Sequence, residues 1–218
     1  MSSRHDFDRF QSAWRHCLLD PSIDESSAVF RKLKSAYNEP QRYYHTLNHI
    51  EHCLSQFDRI GSELKNPELL ELIIWFHDFI YQPGAKDNEL LSAEQFMLMT
   101  NNIFDDQIRN TGYQHIMATL HDGSKITNSD TRFLVDIDLS SLGLPWPEFM
   151  RDNKNLRREM AHVSNEQYYR NNSAFHRSLL ARPSIYQTDY FRQNYESRAR
   201  HNLTDYLESI DAKSEPGV

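Results

Sequence analysis

A histidine and an aspartate stand side by side, His77-Asp78, inside the apolar segment ELIIWFHDFIY at residues 71–81. Leu72, Ile73, Ile74, Trp75, Phe76, Phe79, Ile80 and Tyr81 cover every side of a helix, and a helix that is apolar all round is buried. An ionised carboxylate in such a place costs several kcal/mol or more unless a cation or a metal offsets it. The plainer alternative is a hydrogen-bonded core histidine with a capping aspartate. Against it, Asp78 lies inside the apolar run and not at its first turn, where a cap belongs. Adjacent helical residues point about 100° apart, so both side chains can still reach one ion lying between their directions.

Two further segments carry the same chemistry. In TRFLVDIDLSSLGLPW, Asp136 and Asp138 are embedded among Phe133, Leu134, Val135, Ile137, Leu139 and Leu142. Two residues on a helix subtend about 200°, so one of the two faces a shared site and the other pairs locally. In RYYHTLNHIEHCLSQF, a helical wheel puts His45, His49, His52 and Gln56 on one stripe, with Tyr43, Leu47, Ile50, Leu54 and Phe57 opposite. A stripe of histidines facing water is an ordinary amphipathic helix. Imidazoles at i and i+4 also reach a common ion, and carboxylates in two apolar helices beside such a stripe make a metal the economical common answer. Nitrogen and oxygen donors together suit zinc, manganese, iron and similar divalent ions.

The elements that must position these groups are helices. Five of the six glycines and most of the eight prolines fall at breaks between segments of helical periodicity, and no alternating β-branched run comes with a hairpin turn. An all-α protein follows, with helices expected at 4–19, 24–37, 40–60, 67–81, 88–100, 105–120, 130–142, 146–170, 172–181 and 188–210. One domain over 1–218 is expected, with a motif core at about 42–143 and the helices of 146–210 packed on it. QPGAKDNEL is the clearest functional-looking loop, because it directly follows the buried segment. Asn88 reads as the cap of the next helix, and the tail DAKSEPGV reads as frayed.

Composition limits the function classes. A net charge of −7 argues against gripping a nucleic-acid backbone, while leaving room for a local basic pocket that takes one small phosphate compound. No apolar run approaches the roughly 20 residues of a membrane span, and the start MSSRHDFDRFQSAW lacks a targeting pattern, so a cytoplasmic protein is expected. Cys17 and Cys53 form no CxxC and suggest neither a disulfide framework nor a thiolate zinc site.

The order H…HD…D on successive helices resembles the HD superfamily of metal-dependent phosphohydrolases. More narrowly, RYYHTLNHI, WFHDFIY, DNELLSA, VDIDLSSLG and RREM resemble a bacterial group of predicted HD phosphohydrolases, with the likeness running from about Arg42 to Tyr186. The resemblance implies an all-helical fold and one divalent ion (Mn, Zn, Fe, Ni, Co or Mg) held by His49, His77, Asp78 and Asp138. It implies hydrolysis of a phosphate mono- or diester of a small molecule, with a nucleotide the favoured substrate. The ion would lower the pKa of a bound water and polarise the phosphoryl group.

This chain departs from the family where many members follow HD with a glycine and a lysine; here Phe79-Ile80-Tyr81 continues the apolar run. Arg42, Lys86 and Arg157 are the candidates to hold phosphate instead. Members with two metals carry extra histidines before the last aspartate, and His115 and His121 lie in that interval. His121 in ATLHDG is a candidate for the substrate site or a second ion, with a water-facing loop histidine the alternative. For proton transfer the candidates are His45, one helical turn before His49, and Glu89, alongside Asp78. Glu89 reads equally well as a first-turn carboxylate favoured by the helix dipole. Two other classes remain: an HD-type sensor that keeps its metal without turnover, and a di-iron oxygenase using His45 or His121 at a second ion.

Overall fold

The computed structural model describes residues 3–214, with side chains described for 5–212. The chain is all-α: α1 Ser3–His16, α2 Ser26–Ala36, α3 Leu47–Ile60, α4 Pro67–Phe76, α5 Asn88–Met99, α6 Asp106–Met117, α7 Ser129–Leu139, α8 Trp146–Glu159, α9 Asn165–Leu180, α10 Asp189–Asn194 and α11 Glu196–Ser214. Short 3-10 turns extend α3, α6 and α7. Among the described residues the only β pairing is an isolated antiparallel bridge between Leu18 and Phe104. No described helix is long and apolar enough to cross a membrane.

The chain forms two compact units, one ending at Ile137 and one starting at Asp138, so that the division falls within α7. In the first unit α4 is the central helix, and Leu69, Leu70, Leu72, Ile73, Ile74, Trp75 and Phe76 are all 0–1% exposed. Trp75 closes on Phe30 at 5.2 Å between ring centroids, and Phe76 closes on Phe96 at the same distance. Asn66 caps α4 by accepting from the Leu69 amide, with Pro67 at the first helical position where its missing N–H costs nothing. Buried Asp130 of α7 accepts from the amides of Lys65 and Asn66, which ties the start of α7 to the start of α4.

In the second unit the Glu196 carboxylate accepts from the amides of Ile185 and Tyr186, from the Ser184 hydroxyl and from Arg200. These donors hold its carboxyl below the usual range against the opposing effect of burial. Asn202 donates to the carbonyls of Leu142 and Leu144, and Arg198 to that of Gly143, so α11 fastens the turn after α7.

Several expected boundaries change, and the break expected between 170 and 172 is absent, because α9 runs from Asn165 to Leu180. The helix expected from residue 40 starts at Leu47, because Thr46 is extended and its hydroxyl accepts from the Asn48 amide. The helix expected to run to 81 stops at Phe76. The segment expected as one helix over 146–170 breaks after Glu159, and Ser164 caps α9 by accepting from the Gln167 amide. A second break at Tyr195 divides α10 from α11. Helix α11 also runs on to Ser214, into the tail expected to fray, whose residues 215–218 lie outside the described ones.

Candidate metal centre

Three helices supply the donors. His49 lies in the first turn of α3, His77 caps the C-terminus of α4, Asp78 follows it in the turn, and Asp138 lies in the last turn of α7. Neither His77 nor Asp78 is inside a helix, so the 100° separation expected for them does not apply. At the end of α4 the Ile74 carbonyl faces the His77 ring, and the carbonyls that follow are taken by side chains from elsewhere. Arg42 donates to the carbonyls of Asp78 at 2.7 Å and Phe79 at 2.8 Å, and Tyr37 donates to that of Trp75 at 2.9 Å. Ser92 of α5 exchanges hydrogen bonds with the amide and carbonyl of Ile80. The chain is thereby turned out of the helix while remaining buried.

His77 is 1% exposed, and its Nδ1 lies 2.9 Å from the Ile74 carbonyl. A carbonyl only accepts, so Nδ1 carries the proton and Nε2 of the neutral ring presents a lone pair. That Nε2 lies 3.2 Å from His49 Nε2 and 3.1 Å from Asp78 Oδ2, and His49 Nε2 lies 3.5 Å from the same Oδ2. Donor atoms about 2 Å from one divalent ion stand about 3 Å apart, which is the size of this triangle. Asp138 joins it, for His49, His77 and Asp138 offer ligand atoms that all lie within 4.8 Å of one another. A lone pair facing a carboxylate oxygen at 3.1 Å is repulsive unless a cation or a proton comes between them. Burial acts to raise the Asp78 carboxyl, yet positive charge on the facing imidazoles, His77 first, then His45 and His49, holds it below the usual carboxylate range, and with the rings neutral a cation between them would act in the same sense. His49, His77 and Asp138 could hold a metal ion, and Asp78 Oδ2 lies beside both imidazoles without belonging to that group of three.

The remaining candidates fall differently. His45 precedes α3 and so leaves the helical stripe; its ring stacks on Tyr81 at 4.0 Å and lies 6.1 Å from the His49 ring. His49 and Gln56 are buried, which overturns the water-facing stripe, while His52 is half-buried. Arg42 does not face a ligand: its side chain is 1% exposed, lies over the rings of Tyr37 and Tyr81, pairs with Glu39 and donates to three carbonyls. Arg157 is likewise drawn into structure, donating to the carbonyls of Met160 and Val163 and to Asn165, and so shaping the break between α8 and α9. Lys86 is exposed in its loop, and Glu89 is half-buried in the first turn of α5. Asn88 is no cap; it clasps the amide and carbonyl of Gln82, closing the loop after Tyr81.

His121 adopts a left-handed backbone, φ 52°, and is half-buried. His115 is buried between α6 and α7, sharing a 2.7 Å hydrogen bond with Thr131, and burial lowers its pKa to about 4. Asp136 is wholly buried, whereas Asp138 is partly exposed. The sequence reading missed Cys53, whose Sγ lies 3.7 Å from His49 Nε2, and the Ser92 clasp. The signal for Cys53 was its place one helical turn after His49; Ser92 lies in DNELLSA, a segment singled out for its likeness alone. No protein-family model, curated protein or solved structure matches this chain.

Proposed function

We propose that the chain is a metal-dependent phosphohydrolase of the HD type, hydrolysing a phosphate mono- or diester of a small molecule, with a nucleotide the favoured class. The observation that carries the reading is His77, whose Nδ1–H is committed to the Ile74 carbonyl while its Nε2 faces Asp78 Oδ2 at 3.1 Å and His49 Nε2 at 3.2 Å. When bound, a divalent ion supplies a water of lowered pKa and a Lewis acid for a phosphoryl oxygen. Asp78 and Asp138 bring negative charge to balance that ion. His49 and His77 bring neutral nitrogens fixed in direction by burial and, for His77, by the Ile74 carbonyl. Arg42 holds the backbone of the turn that carries Asp78. His45, held against Tyr81 beside His49, and Glu89 are the proposed proton carriers, and Lys86 is the proposed phosphate contact.

The test is elemental analysis of protein purified without chelator, followed by phosphate release over a nucleotide panel with added manganese. One ion per chain is expected, lost in His77→Ala and Asp138→Asn and retained in Asp136→Asn. Protein with no bound metal, or His77→Ala with full metal, overturns the centre. Full metal with no release from any ester would make the protein a sensor, and two irons per chain would favour the oxygenase.

A further inference from the structure

The second unit contains a groove of about 1080 Å³ walled by α8, α9 and α11, and none of its lining residues belongs to the metal group. In a chain of net charge −7, its walls carry Lys154, Arg157, Arg158, Arg170 and Arg177 against two acids, Glu166 and Asp211. Both acids are engaged in exposed pairs, Arg170–Glu166 at 2.6 Å and Arg177–Asp211 at 2.8 Å, of the kind that contributes little and yields readily to a stronger anion. On α8 the balance is different. Arg157 spends its donors on the neutral oxygens of Met160, Val163 and Asn165 and lends the wall only its charge, whereas Lys154 has no acid partner among the described residues and is the α8 cation open to a ligand. Lys154, Arg157 and Arg158 stand at i, i+3 and i+4, on one helix face and within about 6 Å of one another.

The lining separates this groove from a merely solvated charged face. Tyr169, Tyr206, Met150, Ala174 and Ile210 contribute apolar and aromatic surface between the cations. Tyr206 is 5% exposed and its hydroxyl makes no hydrogen bond to the described residues; burial raises its pKa to about 12, so it remains a donor at neutral pH. Asn153, 4% exposed and also in the lining, has a side-chain oxygen with no partner. Buried polar groups without partners are rare in folded proteins, and here such an acceptor, Asn153 Oδ1, stands in the same groove as the Tyr206 hydroxyl and the clustered cations.

We propose that this groove binds an aromatic organic phosphate of the nucleotide class. Its ring lies against Tyr169 in the manner of base–aromatic stacking, and its phosphates meet the α8 cations and the Tyr206 hydroxyl. The volume corresponds to a ligand of that size. The site stands independently of the metal centre's chemistry, because it uses none of that centre's residues.

Calorimetric titration of the full chain with ATP, adenosine and inorganic triphosphate, as purified and after chelation, tests this. After chelation, which silences the metal centre, ATP is expected to bind one per chain, at least about tenfold tighter than adenosine or triphosphate and more weakly as salt rises, and this site persists in the protein as purified. Lys154→Glu and Tyr206→Phe, the second removing only a hydroxyl, should each weaken ATP about tenfold without lowering the melting temperature appreciably. Absence of ATP binding, equal binding of triphosphate, binding abolished by chelation, or affinity unchanged in both variants overturns the proposal. Survival of binding after chelation separates this groove from the metal centre, whose failure would show instead in the elemental analysis.

Discussion

At the scale of single residues, the arginine that looked like a substrate contact is a clamp on the turn that carries Asp78. The Arg42 guanidinium offers donors in a rigid fork, and here the fork spans the carbonyls of Asp78 and Phe79 with Tyr37 and Tyr81 packed over it. A lysine places one ammonium on a flexible stem and cannot hold both carbonyls in that geometry. Arg42→Lys should therefore loosen the position of the Asp78 carboxylate and weaken metal binding about 10- to 100-fold, the range typical for partners that orient ligands. Glu39→Gln supplies the control, since it removes the ion pair to Nε and leaves the fork on its carbonyls. Manganese titration of both variants decides the matter. Equal affinities in the two would make Arg42 only a packing residue.

At the scale of elements, helical periodicity located most of the long helices, because each buries an apolar face that the spacing of its residues encodes, but it merged α8 with the start of α9. The boundaries were harder, and they failed where polar side chains from elsewhere in the chain act on the backbone. Nothing local in WFHDFIY announces that Arg42, 36 residues earlier, would take the carbonyl of Asp78 and end α4. The break at Ser164 was legible in principle: Ser164-Asn165-Glu166-Gln167 has the spacing of a helix-capping box, and the amphipathic pattern running through it concealed the stop. The metal group was legible for a different reason. Carboxylates set in apolar helices are anomalies in the sequence itself, whereas which of Asp136 and Asp138 joins His49 and His77 depends on how α7 is rotated, and that is tertiary. Close packing can also be read at a glycine. A Cβ on Gly112 of α6 would stand 2.4 Å from the Phe96 ring of α5 and 3.0 Å from Ile73 of α4. Overpacking of this kind costs about 1–3 kcal/mol, partly offset by the better helix propensity of alanine. Gly112→Ala should lower the urea midpoint accordingly, and an unchanged or raised midpoint would mean that α5 and α6 can part without penalty.

At the scale of the whole molecule, each unit carries a buried histidine that is neutral when folded. In the first, His115 sits between α6 and α7 with its pKa lowered to about 4 by burial, opposed only by the charge of Asp130. In the second, His176 of α9 is 3% exposed, packs its ring 5.3 Å from Tyr206, and is lowered to about 4 by burial alone. An unfolded histidine takes a proton near pH 6.5. Between pH 6.5 and 4 the unfolded chain therefore binds protons that the folded chain refuses, and stability rises with pH across that window. The contribution is fully present above 6.5 and is lost as pH falls towards 4, on the order of 3 kcal/mol for each histidine. Two such losses are comparable with the whole stability of a typical domain, about 5–15 kcal/mol, so unfolding in mild acid is expected before the carboxylates titrate. Working in chelator removes any contribution of a bound metal from every variant. Urea unfolding at pH 7.5, 6.0 and 5.0 should then show the wild type losing more stability on acidification than His115→Gln/His176→Gln, whose side chains carry no charge at any of these values. Parallel profiles for the two proteins would show that these imidazoles take up protons without unfolding either unit.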